Sequence, residues 1–314
     1  MNLRKLPDSV SGLGRIAVLM GGDSPEREIS LLSGNAAWDS LQRLGLQAAA
    51  IDAGRDVAEK LAAEQAEFVL VMLHGRGGED GSIQGLLEIL GLPFSGSGVL
   101  ASALAMDKVK SKLIWRQLGL ATADFIELAA DTDWDAAIAR LGPAVVKPVS
   151  GGSSLGVGIV HDAAELERQY SAALAFDSPV MAETYIQGRE FSVGILQDEK
   201  LPAVELRTRR KFFDYRAKYE DQDTEYICPP ELPEEMHEQL LNLAHDAYRA
   251  LGCRGLARVD LMQDREGEFF LLEVNTVPGM TGHSIIPMAA SRLGRSYDDL
   301  MLQILACEAE APRS

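Results

Sequence analysis

Apolar positions in the first third of the chain fall into short unbroken runs separated by stretches with helical spacing. Residues 16–20 are all apolar, as in a strand buried on both faces, and Gly21-Gly22 follows as a turn. From 29 to 44, Ile29, Leu32, Ala36, Leu41 and Leu44 recur at helical intervals, and Gly45 stands where a terminating glycine is expected. Residues 46–52 and 68–73 read as further strands, and 82–90 as a helix stopped at Gly91. Such alternation predicts a parallel sheet covered by helices. Its ligand-facing loops, at the carboxyl ends of the strands, are 21–27 and 74–81.

The pattern then changes. After Ser95-Gly-Ser-Gly98, one long helical stretch runs to about Leu118 and stops at Gly119. Strands are expected at 144–147 and 157–160 around a Gly/Ser loop, then a helix at 163–175 and a strand at 180–184, a small α+β unit. Strands resume at 190–196 and 201–206. The stretch 207–230 lacks periodicity and reads as a long loop, a length usually reserved for function or disorder. A helix at 233–251 ends at Gly252, and Ser296 with Asp299 forms a capping box for a last helix.

Composition narrows the function classes. With 314 residues, 46% hydrophobic and 25% charged, the chain can bury the cores of two or three domains and is not globally disordered. No apolar run approaches the roughly 20 residues that span a bilayer, and the N-terminal residues lack the apolar region of a secretory signal. Cys228, Cys253 and Cys307 are odd in number and far apart, which excludes a disulfide framework or a zinc pattern and suits a reducing cytosol. The net charge of −17 argues against nucleic acid as a partner. An acidic protein that handles anions must therefore gather its few cations locally.

The segment 255–275 is the most informative. Residues 258–263 and 268–274 are expected to form a hairpin closed by Asp264-Arg-Glu-Gly267. Pairing Gln263 with Glu268 sets Asp260 opposite Leu271 and Arg258 opposite Glu273. Arg258, Asp260, Glu273 and Asn275 then share one face, and Val259, Leu261, Phe270, Leu272 and Val274 the other. Asp260 and Glu273 become diagonal neighbours about 7–8 Å apart, close enough to bracket one or two hard cations. An ordinary amphipathic hairpin would alternate in the same way. The oxygen-only set of Asp, Glu and Asn suits Mg²⁺ or Mn²⁺ rather than zinc.

Lys147-Pro-Val-Ser-Gly-Gly-Ser-Ser-Leu-Gly156 places glycines and hydroxyls in a turn between strands, where backbone N–H groups can cradle phosphate. It is not a Walker loop, since it has no Gly-Lys-Ser/Thr and no helix directly after it. Alone it reads as a hairpin turn. With Lys147 at the strand end and Lys108 in the preceding helix, it reads as a phosphate site.

Taken in order, seven segments resemble the D-alanine–D-alanine ligase family. They are Gly21-Gly-Asp-Ser-Pro-Glu-Arg-Glu-Ile-Ser30, His74-Gly-Arg-Gly-Gly-Glu-Asp-Gly81, Ser95-Gly-Ser-Gly98, Met106-Asp-Lys108, Gly151-Gly-Ser-Ser-Leu-Gly156, Asp214-Tyr-Arg-Ala-Lys-Tyr219 and Glu273-Val-Asn-Thr-Val-Pro-Gly-Met-Thr-Gly-His-Ser284. The resemblance spans nearly the whole chain. It implies an N-terminal α/β parallel-sheet domain (1–98), then the two α+β subdomains of an ATP-grasp fold (99–188 and 189–314). The implied reaction joins two D-alanines through a D-alanyl phosphate, spending ATP with Mg²⁺ or Mn²⁺, and supplies a peptidoglycan precursor. A cytoplasmic homodimer with no membrane partner is the corresponding expectation.

The resemblance also implies roles. Glu26 would bind the first D-alanine's ammonium, with Ser153 and Tyr219 completing its hydrogen-bonded group and His74 nearby. Lys108, Lys147 and Lys218 would contact ATP phosphates, and the strand at Glu183 with Glu190 would hold adenine and ribose. Asp260, Glu273 and Asn275 would carry two metal ions. Arg258 and the Gly279 N–H would form the oxyanion site, and Ser284 would take the second substrate's carboxylate. The family pattern is broken at Thr184, where many relatives have lysine.

Three other readings compete. A D-alanine–D-lactate ligase, or another ATP-grasp carboxylate–amine ligase, would share the fold, but D-lactate enzymes usually lack Tyr at the position of Tyr219. A non-catalytic nucleotide-binding module would not need Arg258, Asp260, Glu273 and Asn275 together. A dehydrogenase would need G-x-G-x-x-G, which Gly21-Gly-Asp-Ser-Pro-Glu is not.

Overall fold

The computed structural model describes residues 7–153, 155–176, 178–208 and 224–310. Lys218 and Tyr219 lie outside the described residues.

The first unit contains α1 (Asp8–Ser11), β1 (Ile16–Gly21), α2 (Arg27–Arg43), β2 (Ala48–Ala53), α3 (Val57–Ala63), β3 (Phe68–Val71) and α4 (Ser82–Ile89). Its strands form the expected parallel sheet, in the order β2-β1-β3. Both β1 and β3 are buried along their whole length, as their unbroken apolar runs require.

The expected apolar stripe on α2 is only partly realised. Leu32 is 58% exposed, and Ser30, Ser33, Ala37, Ser40 and Leu41 form the buried face. The serines tolerate burial because each has partners. Ser30 Oγ donates to the Met72 carbonyl (2.7 Å) and accepts from Gly21 N–H (2.9 Å), while Ser40 Oγ donates to Asp298 (2.6 Å).

The single long helix expected after Gly98 is two helices, α5 (Val99–Met106) and α6 (Lys108–Gln117). Asp107 takes an extended conformation between them, and its side chain accepts from Lys110 N–H, capping α6. The break turns Lys108 and Lys112 inward together.

The second unit is β4 (Phe125–Leu128), α7 (Trp134–Leu141), β5 (Ala144–Pro148), β6 (Gly158–Val160), α8 (Ala163–Ala173) and β7 (Val180–Thr184), with antiparallel strand order β4-β7-β5-β6. The third is β8 (Arg189–Leu196), β9 (Glu199–Lys200), β10 (Val204–Arg207), β11 (Glu225–Ile227), α9 (Glu234–Ala250), β12 (Leu256–Gln263), β13 (Phe269–Asn275), α10 (Ile285–Arg292) and α11 (Tyr297–Glu310). Its strands run β11-β10-β8-β12-β13, with β9 on β8.

Packing crosses these units. Trp115 of α6 is buried with α9, β8, β12 and β13 of the third sheet. Leu300, Met301, Ile304 and Leu305 of α11, with Ile286 of α10, share a core with Val10, Ile16, Val18, Leu41 and Phe68 of the first unit. The second unit keeps its own core around Val146, Leu166 and Ala182.

Candidate active site

The hairpin β12–β13 departs from its expected register. The structure pairs Gln263 with Phe269, Asp260 with Glu273 and Arg258 with Asn275. Two features cause the shift. The turn closes between Asp264 and Glu268, with the Asp264 carboxylate accepting from Glu266 and Glu268 N–H. A bulge between the Leu261–Leu271 and Asp260–Glu273 pairs then adds Leu272 to β13. The bulge reverses parity along the strand, so Leu271 is buried in the core while Leu272 and Glu273 both face a cavity. Asp260 and Glu273 therefore stand directly opposite each other rather than diagonally.

That cavity, about 510 Å³, lies between the second and third units. Of the residues expected to bind nucleotide or metal, Lys108, Lys147, Glu183, Glu190, Asp260 and Glu273 all line it. Asp260 is 5% exposed and fully engaged. It accepts two hydrogen bonds from Arg258 (both 2.8 Å), one from Ser192 Oγ (2.5 Å) and one from the Asn275 amide (3.1 Å). Glu273 faces the Lys108 ammonium at 3.1 Å, and Lys108 also donates to the Gly151 carbonyl at 2.7 Å. The acidic groups thus hold the site's own cations.

Glu183 was assigned to the adenine strand. Its carboxylate is 3% exposed and lies between two ammoniums, Lys147 at 2.5 Å and Lys112 at 2.7 Å. Burial alone would raise its pKa, but the two lysines outweigh it and hold the pKa below the usual carboxylate range.

A second pocket lies across the glycine loop. Gly151 and Gly152 line both it and the first cavity, and Glu26 stands on its wall. Ser153 Oγ donates to Glu26 Oε1 at 2.6 Å, joining residues 127 apart in sequence. Two glycines permit that approach, since a Cβ at Gly152 or Gly75 would stand 2.8 Å from a Glu26 carboxylate oxygen. Ser153 itself sits at φ 54°, a left-handed conformation a side chain rarely adopts.

His74 reaches neither cavity. Its Nδ1 lies 2.8 Å from the Val277 carbonyl and its Nε2 3.0 Å from Ser33 Oγ. A carbonyl can only accept, so Nδ1 carries the proton and Ser33 donates to Nε2. Ser33 Oγ in turn accepts from Met280 N–H at 3.1 Å. This directed chain grips residues 277–280 from the first unit, and burial pushes the His74 pKa down, keeping the ring neutral. Ser33→Ala removes both bonds, and a loss of about 1–3 kcal/mol in unfolding free energy is expected from chemical denaturation. Slower turnover should accompany it, because Gly279 lies within the gripped segment. Unchanged turnover would disconnect the clamp from the chemistry.

Gly279 and Ser284 lie together: a Cβ on Gly279 would stand 3.1 Å from Ser284 Oγ. Ser284 is the N-cap residue of α10, where helix N–H groups favour an anion.

Sequence reasoning missed several participants. Ser192 lies two residues beyond Glu190 on the same strand face, a parity that could have revealed it. Glu79 lies inside the motif 74–81. It accepts from Gly75 N–H (2.6 Å) and Val277 N–H (3.3 Å), and its pKa is pushed up to about 8 by burial and by the nearby Glu26 charge. Lys112 follows Lys108 by one helical turn.

Comparison with known proteins agrees with this geometry. The family models described as D-ala D-ala ligase N-terminus and C-terminus match residues 47–97 and 114–306. The chain is 51% identical over 299 residues to the D-alanine–D-alanine ligase of Stutzerimonas stutzeri, covering 95% of both. It is 49% identical to that of Cupriavidus taiwanensis, over 94% of this chain and 91% of that one. Two crystal structures of the Bacillus anthracis D-alanine–D-alanine ligase superpose with TM-scores of 0.85 and, for the complex with ATP, 0.83, at 40% and 37% identity. Each covers 94% of this chain and 97% of the other. A shared fold, relatives matched end to end and a cleft assembled from the family's own motifs lead to one assignment: the chain belongs to the D-alanine–D-alanine ligase family.

Proposed function

We infer that the protein is an ADP-forming ligase that joins two D-alanines into D-alanyl-D-alanine, a building block of peptidoglycan. The observation that carries this reading is the glycine loop standing as a common wall. Lysines and carboxylates line the cavity on one side of it, and the Glu26–Ser153 pair lies on the other.

A carboxylate resists attack by an amine, so it must first be activated. In this reading ATP lies in the larger cavity, with Lys108 and Lys147 against its phosphates, and the backbone of the strand at Glu183 together with Glu190 at the nucleoside end; the Glu183 carboxylate itself is spent on Lys147 and Lys112. Glu26 and Ser153 hold the first D-alanine's ammonium so that its carboxylate faces the γ-phosphate. Transfer of the phosphoryl group breaks the bond to ADP and gives the acyl phosphate. The second D-alanine, its carboxylate at Ser284 and the α10 N-terminus, attacks the carbonyl carbon. The C–N bond forms, the amine loses a proton and phosphate leaves. Arg258 and the Gly279 N–H stabilise the oxygen that carries negative charge in between.

Among the described residues no three His, Cys, Asp or Glu side chains cluster as a self-sufficient metal site. Asp260, Glu273 and the Asn275 carbonyl form a hard-oxygen set that fits one or two Mg²⁺ or Mn²⁺ ions completing their shells with phosphate and water. Bound there, such an ion would offset charge building on the transferred phosphoryl group. Lys218 and Tyr219, expected at the ATP phosphates and beside Glu26, lie outside the described residues.

The proposed setting is a cytoplasmic homodimer. No helix among the described residues is long and apolar enough to cross a membrane. Ile89 of α4 and Leu100 of α5, 86% and 72% exposed, offer an apolar surface to a second copy.

The test is ADP release over a panel of D- and L-amino acids, with dipeptide measured alongside. D-alanine should support release with one dipeptide per ADP, and preference for an L-amino acid would refute the reading. In the same assay Glu26→Gln should raise KM for D-alanine on the order of 10-fold or more, with ATP affinity within about twofold of the parent.

A further inference from the structure

Lys112 lines neither of the cavities described above, yet its environment is unusual for a lysine. It is 0% exposed, on the inner face of α6 one turn beyond Lys108. Its ammonium forms an ion pair with Glu183 Oε2 at 2.7 Å and donates to Thr122 Oγ1 at 2.5 Å and to the Leu271 carbonyl at 3.3 Å. Thr122 Oγ1 in turn donates a hydrogen bond to the same carbonyl at 2.7 Å. A long flexible cation is seldom enclosed this completely unless its charge is used.

The use follows from counting charges. Glu183 is a buried carboxylate shared by two lysines, one deep and one at the cavity wall. With Lys112 present, the deep pair is neutral and the ammonium of Lys147 keeps its full charge toward the cavity. Without Lys112, Glu183 would have Lys147 as its sole counter-ion and would draw that charge inward, leaving the cluster neutral.

We propose that Lys112 is a positioning residue for nucleotide binding: by neutralising Glu183 from behind, it frees Lys147 to meet phosphate. This rests on the reading above that Lys147 contacts ATP. Lys112 touches no substrate and acts through Glu183. Its bond to the Leu271 carbonyl also reaches β13 just before the bulge that brings Glu273 into the cavity.

The experiment measures ATP dissociation constants by calorimetry, with KM for D-alanine and melting temperature recorded on the same samples. Lys147→Met comes first: if it binds ATP like the parent, the reading of Lys147 fails and the proposal falls with it. Lys112→Met should weaken ATP on the order of 10-fold or more while leaving KM for D-alanine within about twofold. The double variant Lys112→Met with Glu183→Gln removes both members of the deep pair and should recover most of that loss. A structural role alone would lower the melting temperature of Lys112→Met without a compensated change in ATP affinity. Unchanged ATP binding in Lys112→Met, or a double variant as weak as Lys112→Met, overturns the proposal. Should Lys112→Met not fold, the double variant decides alone. ATP affinity close to the parent's supports the proposal, and a loss as large as that of Lys147→Met overturns it.

Discussion

Asp260→Asn is expected to slow ADP release by about 10³-fold or more, which corresponds to some 4 kcal/mol of transition-state stabilisation. The substitution keeps the side chain's shape and removes its charge. Asp260 lies at the centre of the site, where it accepts from Arg258, Ser192 and Asn275. The amide can still accept from one or two of these donors, so circular dichroism should stay native. What is lost is the anionic oxygen available to a divalent ion beside the triphosphate. Titration with Mn²⁺, followed by its paramagnetic effect on water relaxation in the presence of nucleotide, should show weakened metal binding. Turnover near that of the parent would remove the hairpin from the chemistry.

Arg258→Met should lower kcat by about 10²–10³, the usual cost of one oxyanion donor, with KM for ATP little changed. The guanidinium now spends two of its donors on Asp260. That pairing keeps a half-buried cation oriented. A methionine fills the volume but leaves Asp260 without its bidentate partner, so a drop of a few degrees in melting temperature should accompany the loss. Rapid-quench analysis separates the two half-reactions: acyl phosphate should still form and then persist or hydrolyse instead of becoming dipeptide. A defect confined to its formation would move Arg258 to the phosphoryl-transfer step.

How much was legible beforehand depended on whether the physics was local. The buried strands β1 and β3 announce themselves as unbroken apolar runs, and β7 was expected at the residues where it occurs. The face shared by Arg258, Asp260, Glu273 and Asn275 followed from strand parity. Its register did not, because a bulge at Leu272 exchanges one side of the strand for the other and leaves no compositional mark. The break between α5 and α6 was signalled by Asp107, a good helix cap, but the apolar spacing on either side concealed it. The α2 face was misjudged because its serines are buried through hydrogen bonds supplied by distant segments, which an apolar periodicity cannot register.

The site divides in the same way. Resemblance brought Glu26 and Ser153 together across 127 residues, which no local rule could do. His74 is expected near the first substrate; its ring nitrogens are held by Val277 and Ser33, and the charge of Glu26 is close enough to act on it. Lys112 and Glu79 went unnoticed because their significance is burial next to another charge, a property of the assembled molecule.

The packing of α11 against β1 and α2 has a consequence for the order in which the molecule can be made. The apolar face formed by Ile16, Val18, Leu41 and Phe68 is completed by Ile286, Leu300, Met301 and Ile304. During synthesis on the ribosome the opening sheet therefore waits, half covered, until the closing helices emerge. A fragment lacking α10 and α11 would keep that face open to water and to other nascent chains, so the first sheet reaches its final stability only once those two helices have been made.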